Sequence, residues 1–298
     1  MFRCRINAEQ FKNLISMPVA LIEENDITLA PDGMKVRSMD AAHVAMVNME
    51  LSKSMFEEYE CTAKRKIRLC IESKDNYGNG SSLIGQWPSK TKGSTVIMQL
   101  RDETEWEKAR LELTFISKLR KQAKIPLFKP SDEEPPIPRI PFNARVLIIL
   151  ADLLEVFRDL EKHTSNFWVT ATQENFKIEA VTELTEEFYL FEKGSDSMLE
   201  LIVREPSKAT YNLNYVLPIL KQLKTAFKLV TLEWSLNMPL KITGGNRLDG
   251  ATVEYYLAPQ VTSVDEVTDA NYAHASPSRP KPIVISEDKV TVPCITSN

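Results

Sequence analysis

An internal repeat most constrains the fold of this chain, because the same succession of helix and strands occurs on each side of a proline-rich segment. In the first half, Phe11, Leu14 and Ile15 have the spacing of one helix face. The residues that follow, ITLAPDGMKV, predict a strand, a tight turn at Pro31-Asp32-Gly33 and a second strand.

The second half repeats this order. A helix beginning after Asn143 is predicted by the apolar stripe Val146, Leu150, Leu153, Phe157 and Leu160. FWVTATQENFKIEAV then predicts a strand, a turn at Gln173-Glu174-Asn175 and another strand. A further helix, followed by alternating strands, is predicted by Val216, Ile219, Leu220 and Leu223.

The repeat predicts an α+β fold made of two duplicated units. Antiparallel strands joined by short turns favour sheets that carry helices on one face. One member of the repeat is weak, because residues 73–92 should hold the second helix of the first unit but contain Gly78, Gly80, Gly85 and Pro88. We expect a short or distorted helix there.

Proline divides the chain into predicted domains. Six of the 17 prolines lie between Pro126 and Pro141, beside the acidic run SDEE, and predict an extended connector with few hydrogen bonds. We therefore predict an N-terminal domain at residues 1–118, a connector at 119–142 and a C-terminal domain at 143–261. The proline-rich stretch SPSRPKP favours a flexible tail at residues 262–298.

The motifs argue for a binding protein and against an enzyme. The sequence has no phosphate-binding glycine loop, no HExxH, no CxxC pair and no GxSxG. We therefore expect no catalytic residue, no metal and no cofactor. A net charge of -4 means that any DNA contact must be confined to one face.

Membrane and secretion signals are missing from the sequence. No apolar run reaches the roughly 18 residues of a membrane-spanning helix, and the first residues lack the order of a secretion signal. We expect an intracellular protein that does not contact a membrane.

Four segments resemble the eukaryotic and archaeal sliding clamp, proliferating cell nuclear antigen (PCNA). They are PDGMKVRSMDAAHVAMVNMEL, FEEYE, PLKI and EYYLAPQV, and the order of segments agrees with the family to about Val261. FEEYE and the PDG turn are archaeal-like. The resemblance implies two clamp domains per chain, each with antiparallel sheets outside and two helices inside, and a closed ring of three identical chains.

The resemblance also implies a subunit contact. In the family, the last strand of the first domain pairs with a strand of the neighbouring chain's second domain, here residues 110–115 and 187–191. An exposed strand edge needs a partner or protection, which favours this pairing. The expected interface residues are Arg110, Leu111, Leu113, Phe115, Glu187, Tyr189 and Phe191. The alternative is that both segments are edge strands within one protomer.

A ring of this kind encircles duplex DNA and acts as a DNA polymerase sliding clamp, or processivity factor. Lys and Arg on its inner helices neutralise phosphates without reading the base sequence. Under the resemblance, DNA would face Lys12 on the first helix, Arg145, Arg158 and Lys162 on the third, and Lys221 and Lys224 on the fourth. The alternative for each is an ordinary solvated helix face.

Partner capture is the second function that the resemblance implies. Family clamps bind a short peptide of polymerases, flap nucleases and ligases, with one glutamine and several apolar or aromatic anchors, and a clamp loader is a further expected partner. The expected pocket residues are Met39, His43, Val44, Met46, Ile125, Leu127, Phe128, Pro239, Tyr256, Ala258, Pro259 and Gln260. Leu127 and Phe128 should cover apolar surface, either on their own domain or on a bound peptide.

An alternative function is a hetero-oligomeric or checkpoint-type clamp that requires different partner chains. The weak helix at residues 73–92 keeps this alternative open, because that helix packs against the neighbouring subunit in the family. We expect the protein in the cytoplasm at the nucleoid if it is archaeal and in the nucleus if it is eukaryotic.

Overall fold

The computed structural model of the chain describes residues 1–72, 82–89, 92–100, 108–132, 134–182 and 185–260. Residues 1–261 form one compact unit. The tail predicted at residues 262–298 lies outside the described residues.

Strands dominate the described part of the chain. In chain order they are β1 (Phe2–Asn7), β2 (Glu24–Ala30), β3 (Gly33–Met39), β4 (Ala45–Ser52), β5 (Glu58–Cys61), β6 (Arg65–Cys70), β7 (Thr95–Leu100), β8 (Arg110–Ile116), β9 (Arg120–Pro126), β10 (Ala144–Ile149), β11 (Asn166–Ala171), β12 (Asn175–Val181), β13 (Glu186–Glu192), β14 (Met198–Val203), β15 (Ser207–Asn212), β16 (Leu229–Trp234), β17 (Leu240–Asn246) and β18 (Ala251–Leu257). The α-helices are α1 (Ala8–Ile15), α2 (Leu150–Leu160) and α3 (Leu213–Leu223), and short 3-10 helices lie at Met17–Ala20, Lys53–Met55, Ile84–Gln86 and Arg247–Asp249.

The strands form three sheets. A five-stranded sheet has the order β5-β1-β7-β8-β9, and a four-stranded sheet has the order β13-β12-β11-β15. Between them, a nine-stranded sheet runs β14-β10-β16-β17-β18-β4-β3-β2-β6 and contains strands from both halves of the chain. The halves join where β4 pairs antiparallel with β18, from Ala45 opposite Leu257 to Leu51 opposite Ala251.

Two of the predicted helices are confirmed. Helix α1 begins after Asn7, whose side-chain oxygen accepts hydrogen bonds from the amides of Glu9 and Gln10, both at 3.0 Å. Helix α3 buries the predicted stripe of Val216, Ile219, Leu220 and Leu223.

The predicted start of the helix after Asn143 is wrong. Residues 144–149 form β10, which pairs with β14 and β16, and helix α2 begins only at Leu150. The buried residues Val146 and Ile148 alternate with less buried neighbours, and β-branched side chains favour a strand. Val146 precedes Leu150 by four residues, which imitates a helical stripe across the junction of strand and helix.

The weak segment of the first unit contains only one short helix among the described residues. It is the 3-10 turn Ile84–Gln86, in agreement with the expected short or distorted helix, while residues 73–81 lie outside the described residues. Trp87 fixes this turn in the core, because its indole N–H donates to the Ala8 carbonyl at 2.9 Å and its ring stacks on Phe11. These side-chain contacts stabilise the Ile84–Gln86 turn although its sequence has a low helix propensity.

The first part of the predicted connector is extended as expected, but the prediction that it has few hydrogen bonds is wrong. Residues 120–126 form β9, which pairs along its full length with β8, from Arg110 opposite Pro126 to Ile116 opposite Arg120. The proline-rich part of the connector, which forms no named strand, therefore follows Pro126.

The predicted fold class is confirmed. The α+β unit of sheets and helices occurs twice, and neighbouring strands in the three sheets pair antiparallel. No helix in the described ranges is long and apolar enough to span a bilayer.

The turn at Pro31-Asp32-Gly33 joins β2 to β3 as predicted. Gly33 has a φ of 147°, and a Cβ added there would lie 2.0 Å from the Leu51 carbonyl oxygen on β4. Only glycine therefore allows β3 to lie this close to β4 at the turn.

We expect Gly33→Ala to lower the free energy of unfolding by about 3 kcal/mol or more, because backbone strain adds to the clash with Leu51. Gly194→Ala is the matched control, since Gly194 has a φ of 85° but no atom within 4 Å of the added Cβ. The control should cost only about 1 kcal/mol. Urea unfolding followed by tryptophan fluorescence measures both, and equal losses would contradict the close approach of β3 and β4.

Candidate functional site

A cleft of about 430 Å³ lies between the end of β3 and the connector. Two predicted pocket residues, Met39 and His43, line it. The other described lining residues are Ile22, Glu24, Asp26, Arg37, Ser38, Asp40, Ala41, Arg68, Ser131, Glu134, Pro135 and Pro136. The cleft thus combines an apolar wall with charged groups.

Several predicted pocket residues form one row across the nine-stranded sheet. Met39 on β3 lies opposite Met46 on β4, Met46 lies opposite Tyr256 on β18, and Tyr256 lies opposite Lys241 on β17. Residues directly opposite each other in a sheet project from the same face. Met46 and Tyr256 are buried, so this part of the row is not open surface.

The C-terminal segment lies beside this row. The amide of Ala258 donates to the Val44 carbonyl at 2.8 Å, and the amide of Gln260 donates to a carbonyl of β15 at 2.8 Å. Pro239 directly precedes β17, and Pro259 lies between the two anchored residues. The structure thus brings the predicted residues from the loop after β3 close to part of the C-terminal set.

Polar contacts fasten the connector to the sheet at the cleft. Arg37 on β3 forms an ion pair with Glu134 at 3.0 Å. Lys66 on β6 donates to the Ser131 carbonyl at 2.7 Å, and the Ser131 amide donates to Asp26 at 3.1 Å. Because three strands hold it, the connector forms a defined wall of the cleft.

The connector residues that the sequence assigned to the pocket do not line it. Ile125 and Leu127 are buried, at 0% and 4% exposure. Phe128 is 41% exposed, and its backbone amide donates a hydrogen bond to the Arg68 carbonyl. The pairing of β9 with β8 places Ile125 in the core, and Leu127, which follows β9 directly, is buried as well. Of the two locations expected for Leu127, the structure shows cover on its own domain.

Glu134, Pro135 and Pro136 line the cleft but were not among the residues predicted from the sequence. The signal was present as two consecutive prolines after an acidic run, in the middle of the connector. Taken alone, this signal predicts only an extended chain.

The α-helices provide a second candidate surface. Helix α2 packs against α3, and the side-chain amide of Asn13 at the end of α1 donates to the Thr225 carbonyl just after α3, at 3.3 Å. The apolar faces of all three helices are buried. Their remaining faces carry the predicted cations Lys12, Arg158 and Lys221. Lys162 and Lys224, which were predicted on the helices, lie just after the ends of α2 and α3.

Acidic partners neutralise part of this charge. Lys162 forms a 2.7 Å ion pair with Asp159, which also accepts a hydrogen bond from Tyr189. These hydrogen bonds, from Lys162 first and Tyr189 second, lower the pKa of Asp159, and the bond to Asp159 raises the pKa of Tyr189 to about 12. Lys221 lies 3.7 Å from Glu161.

Three cations of this surface have no ion-pair partner among the described residues. They are Lys12, Arg158 and Lys224, and all three are at least partly exposed. Glu9, Asp152 and Glu155 on the same helices limit the net positive charge.

Arg145 does not belong to this surface, and its predicted place on a helix is wrong. It lies on β10, where Glu200 and Glu233 flank its guanidinium at 2.9 and 3.3 Å. Arg145 lies opposite Glu233, in the same row as Lys241 and Tyr256. Gly244 is three residues from Lys241 on β17 and therefore faces the opposite side of the sheet. A Cβ added at Gly244 would meet Leu223 of α3, so α3 covers that face.

The predicted interface residues fall on two strands with different surroundings. Arg110, Leu111, Leu113 and Phe115 lie on β8, which has β7 on one side and β9 on the other, so β8 cannot accept another strand. The prediction that residues 110–115 are an exposed edge is therefore wrong. The edge on this side of the sheet is β9, which the sequence placed in the connector.

The partner strand is an edge as predicted. Glu187, Tyr189 and Phe191 lie on β13, whose one described neighbour is β12. Phe188 and Leu190, which lie in the predicted segment but were not named as interface residues, are 61% and 46% exposed on this strand.

Metal binding has no support in the described ranges. No group of three or more His, Cys, Asp or Glu side chains in them is placed to hold a metal ion.

Comparison with known proteins agrees with this description. The family described as "Proliferating cell nuclear antigen, N-terminal domain" matches residues 1–76. A protein named DNA polymerase sliding clamp from Methanococcus vannielii is 27% identical over 267 residues, covering 88% of this chain and 100% of the relative. Another of the same name from Thermococcus gammatolerans is 26% identical and covers 85% of this chain and 96% of its own length.

Solved structures show the same fold. A PCNA from Thermococcus kodakaraensis has a TM-score of 0.75 at 19% identity, covering 87% of this chain and 100% of its own. A PCNA from A. fulgidus, solved with the C-terminal region of FEN-1 bound, has a TM-score of 0.72 at 22% identity and covers 88% of this chain and 100% of its own. The predicted resemblance to the PCNA family, with an archaeal-like character, is confirmed.

Proposed function

We propose that this chain is a DNA polymerase sliding clamp, a non-catalytic ring that encircles duplex DNA and docks replication and repair enzymes. The observation that carries the proposal is a PCNA-like fold over 87–88% of the chain with a cleft between β3 and the connector. The relatives named DNA polymerase sliding clamps favour this function over a hetero-oligomeric checkpoint clamp. We retain the division into two clamp domains as part of the proposal.

Ring closure would use strand edges that the protomer leaves open. An open edge exposes unpaired backbone groups, and head-to-tail pairing between chains satisfies them. In place of β8 we propose β9, which pairs with β13 of the next chain. Their charges are complementary, because β9 carries Arg120, Lys121 and Lys124 whereas β13 carries Glu186, Glu187 and Glu192.

The helices would line the bore of the ring. Lys12, Arg158, Lys162, Lys221 and Lys224 would contact phosphates through electrostatic attraction, which carries no base specificity and permits sliding. The acidic neighbours on the same helices keep direct affinity for DNA modest. Enclosure by the ring, rather than tight binding, would retain the DNA.

Partner enzymes would bind at the cleft through short peptides with one glutamine and several apolar or aromatic anchors. Met39 offers an adaptable apolar contact, and the connector closes the opposite wall. Polymerase and flap nuclease are the partners best supported, with ligase and clamp loader as further candidates. A clamp of this kind would work where the DNA is, at the nucleoid of an archaeon or in a eukaryotic nucleus.

The bore predicts a specific salt dependence. We expect Arg158→Ala combined with Lys221→Ala to weaken association with DNA. The slope of log affinity against log salt concentration should become less steep by about 0.9 for each lost phosphate contact. Arg145→Ala is the control, because Arg145 lies on the sheet face away from α3. Fluorescence anisotropy with labelled duplex DNA across a salt series measures the slopes. An unchanged slope in the double variant would show that these side chains do not face DNA.

The cleft predicts a loss of partner binding. We expect Met39→Ala to weaken binding of a synthetic glutamine-aromatic peptide at least about tenfold, equivalent to roughly 1.4 kcal/mol, because it removes a central apolar anchor. Met55→Ala is the control, since Met55 is also partly buried but lies in the 3-10 helix after β4, outside the cleft. Calorimetry measures both affinities, and equal binding by the two variants would remove the cleft as the docking site.

A further inference from the structure

The carboxylate of Asp40 organises the turn that forms one wall of the cleft. One carboxylate oxygen accepts hydrogen bonds from the amides of Val44 and Ala45, at 2.8 and 2.7 Å. The side chain is largely buried, at 9% exposure. It occupies the position between β3 and β4, so it determines how the chain passes from one strand to the next.

This turn is conformationally demanding. His43 has a φ of 58°, in the left-handed region that a residue with a Cβ rarely adopts. Such a conformation persists only when the surrounding contacts fix it. The Asp40 carboxylate and the backbone bonds between Asp40 and Ala45 and between His43 and Asp40 are the contacts that do so. Because Met39, Asp40 and His43 line the cleft, these contacts also set the shape of its wall.

The second carboxylate oxygen of Asp40 faces a residue from the other half of the chain. The hydroxyl of Tyr215, in the first turns of α3, donates to it at 3.2 Å. Burial, and secondarily the negative charge of Asp40, raise the pKa of Tyr215. Tyr215 does not line the cleft.

We propose that Tyr215 is a positioning residue for the peptide cleft: its hydroxyl fixes the Asp40 carboxylate in the orientation that holds the His43 turn open to a partner peptide. This inference rests on the proposed function, because it assigns a specific determinant to the proposed docking site. The ligand class is the same glutamine-aromatic peptide. Neither the sequence motifs nor the cleft lining identifies Tyr215, which is 175 residues from Asp40 in the chain.

The test is Tyr215→Phe in the full-length protein, which removes one oxygen and retains the ring. We expect about fivefold weaker binding of the synthetic peptide, part of what a hydrogen bond to a charged group contributes. Tyr59→Phe is the matched control. Its hydroxyl lies 2.8 and 2.7 Å from the Ala30 and Gly33 carbonyl oxygens at the opposite end of β3, so peptide affinity should not change.

A double-mutant cycle separates positioning from a general loss of stability. If Tyr215 acts through Asp40, adding Tyr215→Phe to Asp40→Ala should weaken peptide binding by less than about twofold further. Additive losses would overturn the proposal. Hydrogen exchange of the segment 40–46, followed by mass spectrometry, provides a readout without peptide, and Tyr215→Phe should speed exchange there while Tyr59→Phe does not.

The possible failures are distinguishable. If the wild-type protein does not bind the peptide, the proposed function is wrong at this cleft, while exchange at residues 40–46 still tests whether Tyr215 holds the turn. If the wild-type protein binds and Tyr215→Phe binds equally well, the role of Tyr215 is wrong and the docking site stands.

Discussion

The pairing of β4 with β18 is the interaction on which the rest of the structure depends. It runs from Ala45 opposite Leu257 to Leu51 opposite Ala251 and joins strands of the two halves into one nine-stranded sheet. A continuous ladder of backbone hydrogen bonds cannot hinge at its centre without losing those bonds. The cleft depends on it directly, because its wall residue Met39 follows Met46 and Tyr256 in a row that crosses this junction.

The two faces of this sheet keep the proposed functions apart. One face carries the row from Met39 to Lys241 and receives the connector. The other face packs against α3. The approach is so close that a Cβ at Gly244 would lie 2.6 Å from the Leu223 side chain. The proposed peptide site and the proposed DNA-facing helices would thus use opposite faces of one sheet. The hydrogen bond from Tyr215 to Asp40 is a direct contact between α3 and the cleft wall.

Local patterns predicted much of the fold. The Pro31-Asp32-Gly33 turn and the helices at Phe11 and Val216 follow from residue chemistry and periodicity, which act over short distances. Strand β9 could not be predicted, because its basic, largely exposed sequence becomes a strand only by pairing with β8. Strand β10 was also not predictable, because its apolar residue Val146 continues the helical spacing of α2. In the site, Met39 and His43 were predictable from the resemblance to the sliding-clamp family, whereas Pro135, Pro136 and Tyr215 required the tertiary arrangement.

The mass of the full-length protein in solution decides whether identical chains close into a ring. Each chain has a mass of 33.9 kDa. Head-to-tail pairing of the complementary edges β9 and β13 can close a ring, and the resemblance to the sliding-clamp family implies three chains. Size-exclusion chromatography with light scattering should therefore give about 100 kDa for the purified protein alone. A mass of one chain at all concentrations would contradict the self-assembling ring.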